Sequence, residues 1–305
     1  MRAIFVFLFI GLTLSAFAQP PADFDGLWIL QQPALRAPLA LARSLEFHAR
    51  RSVSRSSVPI VVDATCAQTI FEDDFLAAIA PADFIFIGER HDDHRHHEIQ
   101  AELLKKLVSS NPNLVLGLEM VDITHQETLD RFSAGAMSEE EFARFWKNVW
   151  GFDYDLYRPI FEVVRRHRMM MRGLNAPIAI ARKVAKSGLS SLTPNERGLL
   201  PSQINPIENA SYLAYLKKAI AEHWPGPVDP AKEALLIEAQ MVWNETMAET
   251  LVGIRVQGRQ ALVIAGMGHM FYKAGILESV EKRVRFSQRY IQPYPLDSED
   301  VRSPD

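Results

Sequence analysis

The sequence has one cysteine, Cys66, so no intramolecular disulfide can close, and a covalent haem attachment through Cys-x-x-Cys-His is excluded. Glycine is sparse and proline is not enriched, 15 and 18 of 305 residues, which rules out collagen-like and low-complexity chains. No internal repeat recurs at a period of about 20–50 residues, so solenoids and propellers are excluded as well. Basic residues form no long run outside Arg50 to Arg55, and 33 Lys and Arg against 37 Asp and Glu leave a net charge of −4. Neither nucleic acid nor an anionic membrane surface is therefore an expected partner. No apolar stretch reaches the ~20 residues needed to cross a bilayer.

What is present is a folded chain: 48% hydrophobic and 23% charged residues provide both a sizeable core and a solvated surface. The first eighteen residues read as an export signal. Arg2 supplies the positive start, Ile4 to Leu14 the short apolar stretch, and Ala16-Phe17-Ala18 the small-x-small cleavage pattern. Cleavage after Ala18 implies a periplasmic or secreted protein. Cys66 is too far from that point to carry a lipid, so a lipoprotein is not expected. Residues 19–58, rich in Pro, Ala and Arg, read as a mobile lead-in segment. The domain is expected over 59–290, with a tail over 291–305.

Inside the domain, short apolar runs alternate with helical patterns. Asp83 to Ile87, Leu114 to Leu118, Met169 to Leu174 and Ala261 to Ala265 have the length and composition of buried strands. Helical periodicity follows the first of them at Ile99, Leu103, Leu104 and Leu107. Two long helical stretches, about 122–167 and 178–257, interrupt the alternation. The pattern predicts an α/β fold, a mostly parallel sheet flanked by helices, with a large helical insertion or cap.

In such sheets ligands gather where the strands end. The residues just past the four predicted strands are Glu89 and His91, Glu119, Asn175, and His269. Gly88-Glu-Arg-His91 and Gly266-Met-Gly-His269 share a Gly-x-x-His pattern, each after an apolar strand. If a helix starts near Asp92 or Asp93, His94 and His97 share one face, while His96 belongs to a solvated first turn. A further helical face carries Gln240, Asn244 and Met247, two amides beside a thioether, which suits a pocket wall better than a core. Imidazole and carboxylate at one rim can bind a transition metal or exchange protons. For a divalent metal, His91 and His269 are the candidate ligands. Tyr154, Tyr157, Tyr212, Tyr215 and Tyr272 are potential haem-iron ligands through phenolate, and the sequence does not choose among them.

Taken together, Gly88-Glu-x-His91-Asp-x-x-His94 with His97, Gly117-Leu-Glu-Met120, Gln126 with Leu129, Tyr157-x-Pro159, Leu174-Asn-Ala-Pro177, the Gln240 to Ala248 block and Ala265-Gly-x-Gly-His269 carry a resemblance. From about Asp83 to Gly275 the chain resembles the ChaN-like haem-binding uptake proteins, related to the wider Tiki-like, TraB-like and erythromycin-esterase-like group. Asn244 stands where the family usually has Asp, which removes a charge. The resemblance implies an exported bacterial protein of haem or iron uptake that holds haem non-covalently, with a tyrosine on the iron, at the interface of a homodimer. It also implies a cofactor site drawn from Glu89, His91, His94, Glu119, Asn175, Gln240, Asn244, Met247 and His269. The related hydrolases imply the alternative: a metal-dependent or His/Glu-based hydrolase whose catalytic residues are Glu89, His91, Glu119 and His269.

Overall fold

The computed structural model describes residues 27–31, 60–63, 68–70, 72–224 and 226–294. The export signal and most of the lead-in and tail segments lie outside them. Eight strands form one sheet in the order β3-β2-β1-β8-β4-β7-β5-β6. They are β1 (Leu27–Gln31), β2 (Ile60–Asp63), β3 (Gln68–Ile70), β4 (Phe84–Glu89), β5 (Val115–Asp122), β6 (Met171–Asn175), β7 (Ala261–Gly266) and β8 (Gln288–Tyr294). Five of these, β8, β4, β7, β5 and β6, run parallel to their neighbours, while β1 joins β8 in antiparallel pairing. The fold is α/β.

Four of the strands, β1, β2, β3 and β8, fall where no strand is expected. β1 lies in the segment read as a lead-in, and the last residues of β8 extend into the segment read as a tail. The polar residues of Gln288-Arg-Tyr-Ile-Gln-Pro-Tyr294 hide the apolar signature of a strand that lies in the parallel sheet. Pairing with β4 on one side and β1 on the other nevertheless satisfies its backbone.

Alternation along the central strands divides the core between the two faces of the sheet. On one face, Ile85, Ile87, Leu116, Leu118, Leu262 and Ile264 pack with α1 (Glu72–Ile79), α2 (His94–Ser110), α3 (Gln126–Ser133), α4 (Glu139–Val149) and α5 (Tyr154–His167). On the other, Phe84, Phe86, Val115, Val263 and Ala265 meet α6 (Ile178–Ser187), α9 (Pro230–Val256) and α10 (Ile276–Arg283). Between α6 and α9 come α7 (Pro194–Arg197) and α8 (Ala210–His223). The two long helical stretches are thus α3 to α5, between β5 and β6, and α6 to α9, between β6 and β7.

Helix starts are set by local chemistry. Asp93 caps α2 by accepting the Arg95 and His96 amides, Ser138 and Glu141 form a reciprocal capping box on α4, and Asp229 with Pro230 opens α9. Among the described residues no helix is long and apolar enough to cross a membrane.

Candidate functional site

Parallel pairing brings the strand ends level. Glu89 at the end of β4 is in register with Gly266 at the end of β7. Beyond the last paired residues of β5 and β7, Leu118 and Ile264, the Glu119 side chain continues the connection: its Oε2 accepts the Gly266 amide at 2.6 Å. The β5 and β6 pairing shifts register between Leu118 and Asp122. Gly173 sits opposite this irregularity, where a Cβ would lie 2.5 Å from the Asp122 carbonyl.

A cavity of about 420 Å³ opens at this edge, and His91, Glu119, Asn175 and His269 line it. Glu89 stands behind His91, fully buried, with four groups on its carboxylate. The Tyr157 hydroxyl donates to Oε1 at 2.5 Å, His91 Nδ1 lies 2.7 Å from the same oxygen, Gln100 Nε2 donates to Oε2 at 3.0 Å, and His97 Nδ1 is 3.4 Å away. Burial acts to raise the Glu89 carboxyl, but the facing His97 and His91 rings and their hydrogen bonds outweigh it and hold it well below its ordinary value. The same contact raises His97 against the opposing effect of burial. Burial, and then Glu89, push the Tyr157 phenol well above its usual range.

An ionised carboxylate only accepts, so the His91 nitrogen facing it must carry the proton. In the neutral ring, Nε2 is then a bare lone pair. That atom is buried and has no partner, while the ring packs edge-on to Trp150 with centroids 4.7 Å apart. A second imidazole–carboxylate pair lies across the cavity, with His269 Nε2 3.2 Å from Glu119 Oε1. Its Nδ1 lies 2.7 Å from Asn244 Oδ1 and 3.0 Å from Gln240 Nε2. Burial would raise the Glu119 carboxyl, yet His269, His91 and the Gly266 amide bring it below its ordinary value. Such pairs can hold or accept a proton at a defined atom. No hydroxyl or thiol nucleophile lines the cavity among the described residues.

Several expected residues stand elsewhere. His94, the first residue of α2, has a 61% exposed side chain 3.5 Å from Glu98, outside the cavity. The buried face of α2 runs through His96, His97, Gln100, Leu103 and Leu104, and His94 falls off its edge. His96, read as solvated, is buried instead: its Nδ1 accepts the Arg90 amide at 2.9 Å, and burial pushes it down to about 4. Met247 belongs to the core on the α9 face, although Gln240 and Asn244 on the same helix do reach His269. Among the described residues no group of three or more His, Cys, Asp or Glu side chains is placed to hold a metal ion. The expected divalent metal at His91 and His269 therefore lacks a ligand set: His269 is bonded at both ring nitrogens, and His91 Nε2 alone does not make a site.

Residues without a sequence signal also line the cavity: Asp122, His125, Asn148, Trp150 and Arg182. Most come from the long helical stretches and their loops, so only the crossovers that fold those stretches back could place them here.

The sheet and its edge define an α/β protein with two carboxylate-backed imidazoles at one cavity. The chain belongs to the haem-binding uptake family, Tiki superfamily, ChaN, whose model matches residues 75–280. Its fold is similar to a solved structure of ChaN of Campylobacter jejuni with cofacial haem binding, at 22% identity over 75% of this chain and 88% of that one, with a TM-score of 0.60. An open-conformation mutant of the erythromycin esterase EreC shares 15% identity over 73% of each chain, with a TM-score of 0.43. The type III effector HopBA1 shares 14% identity over 65% of this chain and 72% of that one, with a TM-score of 0.36. No curated protein matches the sequence.

Proposed function

We propose that this protein binds haem non-covalently and, once exported with its signal cleaved after Ala18, serves haem or iron uptake. Membership of a haem-binding uptake family supports the reading, and the placement of Tyr272 carries it. A phenol that ligates haem iron must be reachable by a flat macrocycle. Tyr154, Tyr157 and Tyr212 are buried and Tyr215 is half-buried, whereas Tyr272 is 55% exposed.

Tyr272 and Lys273 both have left-handed backbone, with φ of 58° and 55°, a conformation non-glycine residues seldom adopt unless their surroundings impose it. Asn209 Nδ2 donates to the Tyr272 carbonyl at 3.2 Å, and Tyr215 packs edge-on to Phe271 at 4.9 Å. The loop thus presents its phenol outward, with the Tyr215 and Phe271 rings each 6.4 Å from it. When bound, haem supplies a redox-active iron and an apolar face. Tyr272 would hold the iron, and the neighbouring rings would meet the macrocycle. A phenol offered from a surface covers one side of such a ligand, so a second copy of this chain, facing the first, completes the site.

The test is a haem titration of the full chain followed by absorbance. A saturable Soret band is expected, and Tyr272→Phe should raise the half-saturation concentration at least tenfold. A wild-type chain with no band above an unrelated control ends the haem reading. An unchanged Tyr272→Phe titration removes Tyr272 from it.

A further inference from the structure

We propose that the cavity at the carboxyl edge of the sheet binds a small anionic molecule that also carries a hydroxyl or amine donor, and that this site is separate from the haem surface at Tyr272. It goes beyond the haem reading and does not depend on it. Two independent features, one at each part of the cavity wall, specify the ligand.

The first is the start of α6. Asn175, Ala176 and Ile178 line the cavity, so the ten-residue helix begins at its wall. Pro177, at the cap position, offers no side-chain cap, and the Ile178 and Ala179 amides donate to no acceptor among the described residues. Unmet amides and the positive end of the helix dipole favour an anion there. Arg182, one turn further along, also lines the cavity and has no acidic partner among the described residues. Its planar donor fork matches a carboxylate or phosphate.

The second is His91. Its ring is only 1% exposed, Nδ1 is committed to Glu89, and Nε2 is left without a partner at a cavity the residue lines. A buried polar atom of this kind is costly unless something meets it. In the neutral ring, with Nδ1–H on Glu89, this nitrogen calls for an O–H or N–H donor on the ligand.

The cavity also holds two carboxylates that oppose an anion, and both are already engaged. Glu119 takes the Gly266 amide and faces His269, while Asp122 takes the Thr124 amide at 2.8 Å and lies 3.0 Å from His125 Nδ1. Arg182 has no such claim on it. The volume of about 420 Å³ falls in the range of small-molecule sites.

The experiment is calorimetric titration of the full chain with glycerol 3-phosphate and with lactate, which pair a phosphate or carboxylate with a nearby hydroxyl. At least one should bind saturably and shift the ¹⁵N resonance of His91 Nε2. Arg182→Ala, an exposed position whose change spares the core, should weaken that binding about tenfold and leave the haem titration unchanged. Saturable binding by neither probe, or equal binding by Arg182→Ala, overturns the proposal. If Arg182→Ala weakens haem binding in the same proportion and glycerol 3-phosphate displaces haem, the cavity takes the carboxylates of haem and is not a separate site. Absence of a wild-type Soret band would sink the haem reading alone, since the calorimetric result stands without it.

Discussion

The Tyr157 hydroxyl donates to Glu89 Oε1 at 2.5 Å across 68 positions of sequence, tying the first turn of α5 to the end of β4. Glu89 in turn fixes the tautomer of His91, so a helix of the first long insertion determines which edge of the His91 ring is free to meet a ligand. Trp150 Nε1 donates to the same phenol at 3.3 Å, which joins the end of α4 to the arrangement. The long helical stretch between β5 and β6 is therefore part of the site's support.

Tyr157→Phe removes one donor from a buried, ionised carboxylate and leaves Trp150 Nε1 without its acceptor. Hydrogen bonds to charged groups contribute about 1.5–3 kcal/mol each, and a loss of that size is expected in urea denaturation. The m-value should not change, because the chain buries the same surface. A variant as stable as the wild type would show that Glu89 is satisfied without its phenol.

Gly275 reports on the other imidazole. Its φ is +61°, and a Cβ there would collide with the His269 carbonyl and lie 3.0 Å from the Tyr212 hydroxyl. Gly275→Ala is thus expected to cost more than the ~1 kcal/mol of placing alanine in a left-handed position, and to displace His269 as it does so. Gly135→Ala provides the control: φ is +78°, and nothing among the described residues lies within 4 Å of the added carbon. Equal losses of stability in the two variants would mean that the His269 loop yields freely.

The strands that place the site were legible because they are buried on both faces. Phe84 to Ile87 and Ala261 to Ala265 are unbroken apolar runs, and the residues that follow them must collect on one edge of a parallel sheet. His91, Glu119, Asn175 and His269 could be named on that ground. Arg182 and Trp150 could not, because their arrival depends on how long helical crossovers return, which no local pattern encodes. β1, β2, β3 and β8 were missed for a different reason, β2 and β3 being only four and three residues long. Four apolar residues in a Pro- and Arg-rich context, and a strand that includes Gln288, Arg289, Gln292 and Pro293, take their form from partners far away in sequence. His96 was misjudged because a histidine in a charged first turn normally faces water; here the Arg90 amide draws it inward.

That inward histidine gives the protein a specific pH response. Burial pushes His96 from its ordinary 6.5 down to about 4, so the unfolded chain takes up a proton at a pH where the folded chain does not. Its contribution to stability is complete above pH 6.5 and is lost as pH falls toward 4. The neighbouring groups act in other windows. Glu89 and Glu119 lie below their ordinary 4.5, so their contribution is present above that value and is lost only as pH falls below it. His97 is raised, so its contribution is complete below 6.5 and fades as pH rises through its folded value. Of these four groups, His96 is therefore the one whose contribution is lost as pH falls from 6.5 to 4.5. Calorimetric Tm should decline by several degrees across that interval in the wild type. His96→Asn offers an amide oxygen to the Arg90 N–H but does not titrate, so its Tm should be nearly flat over the same interval. A slope as steep as that of the wild type would place the pH-sensitive group elsewhere.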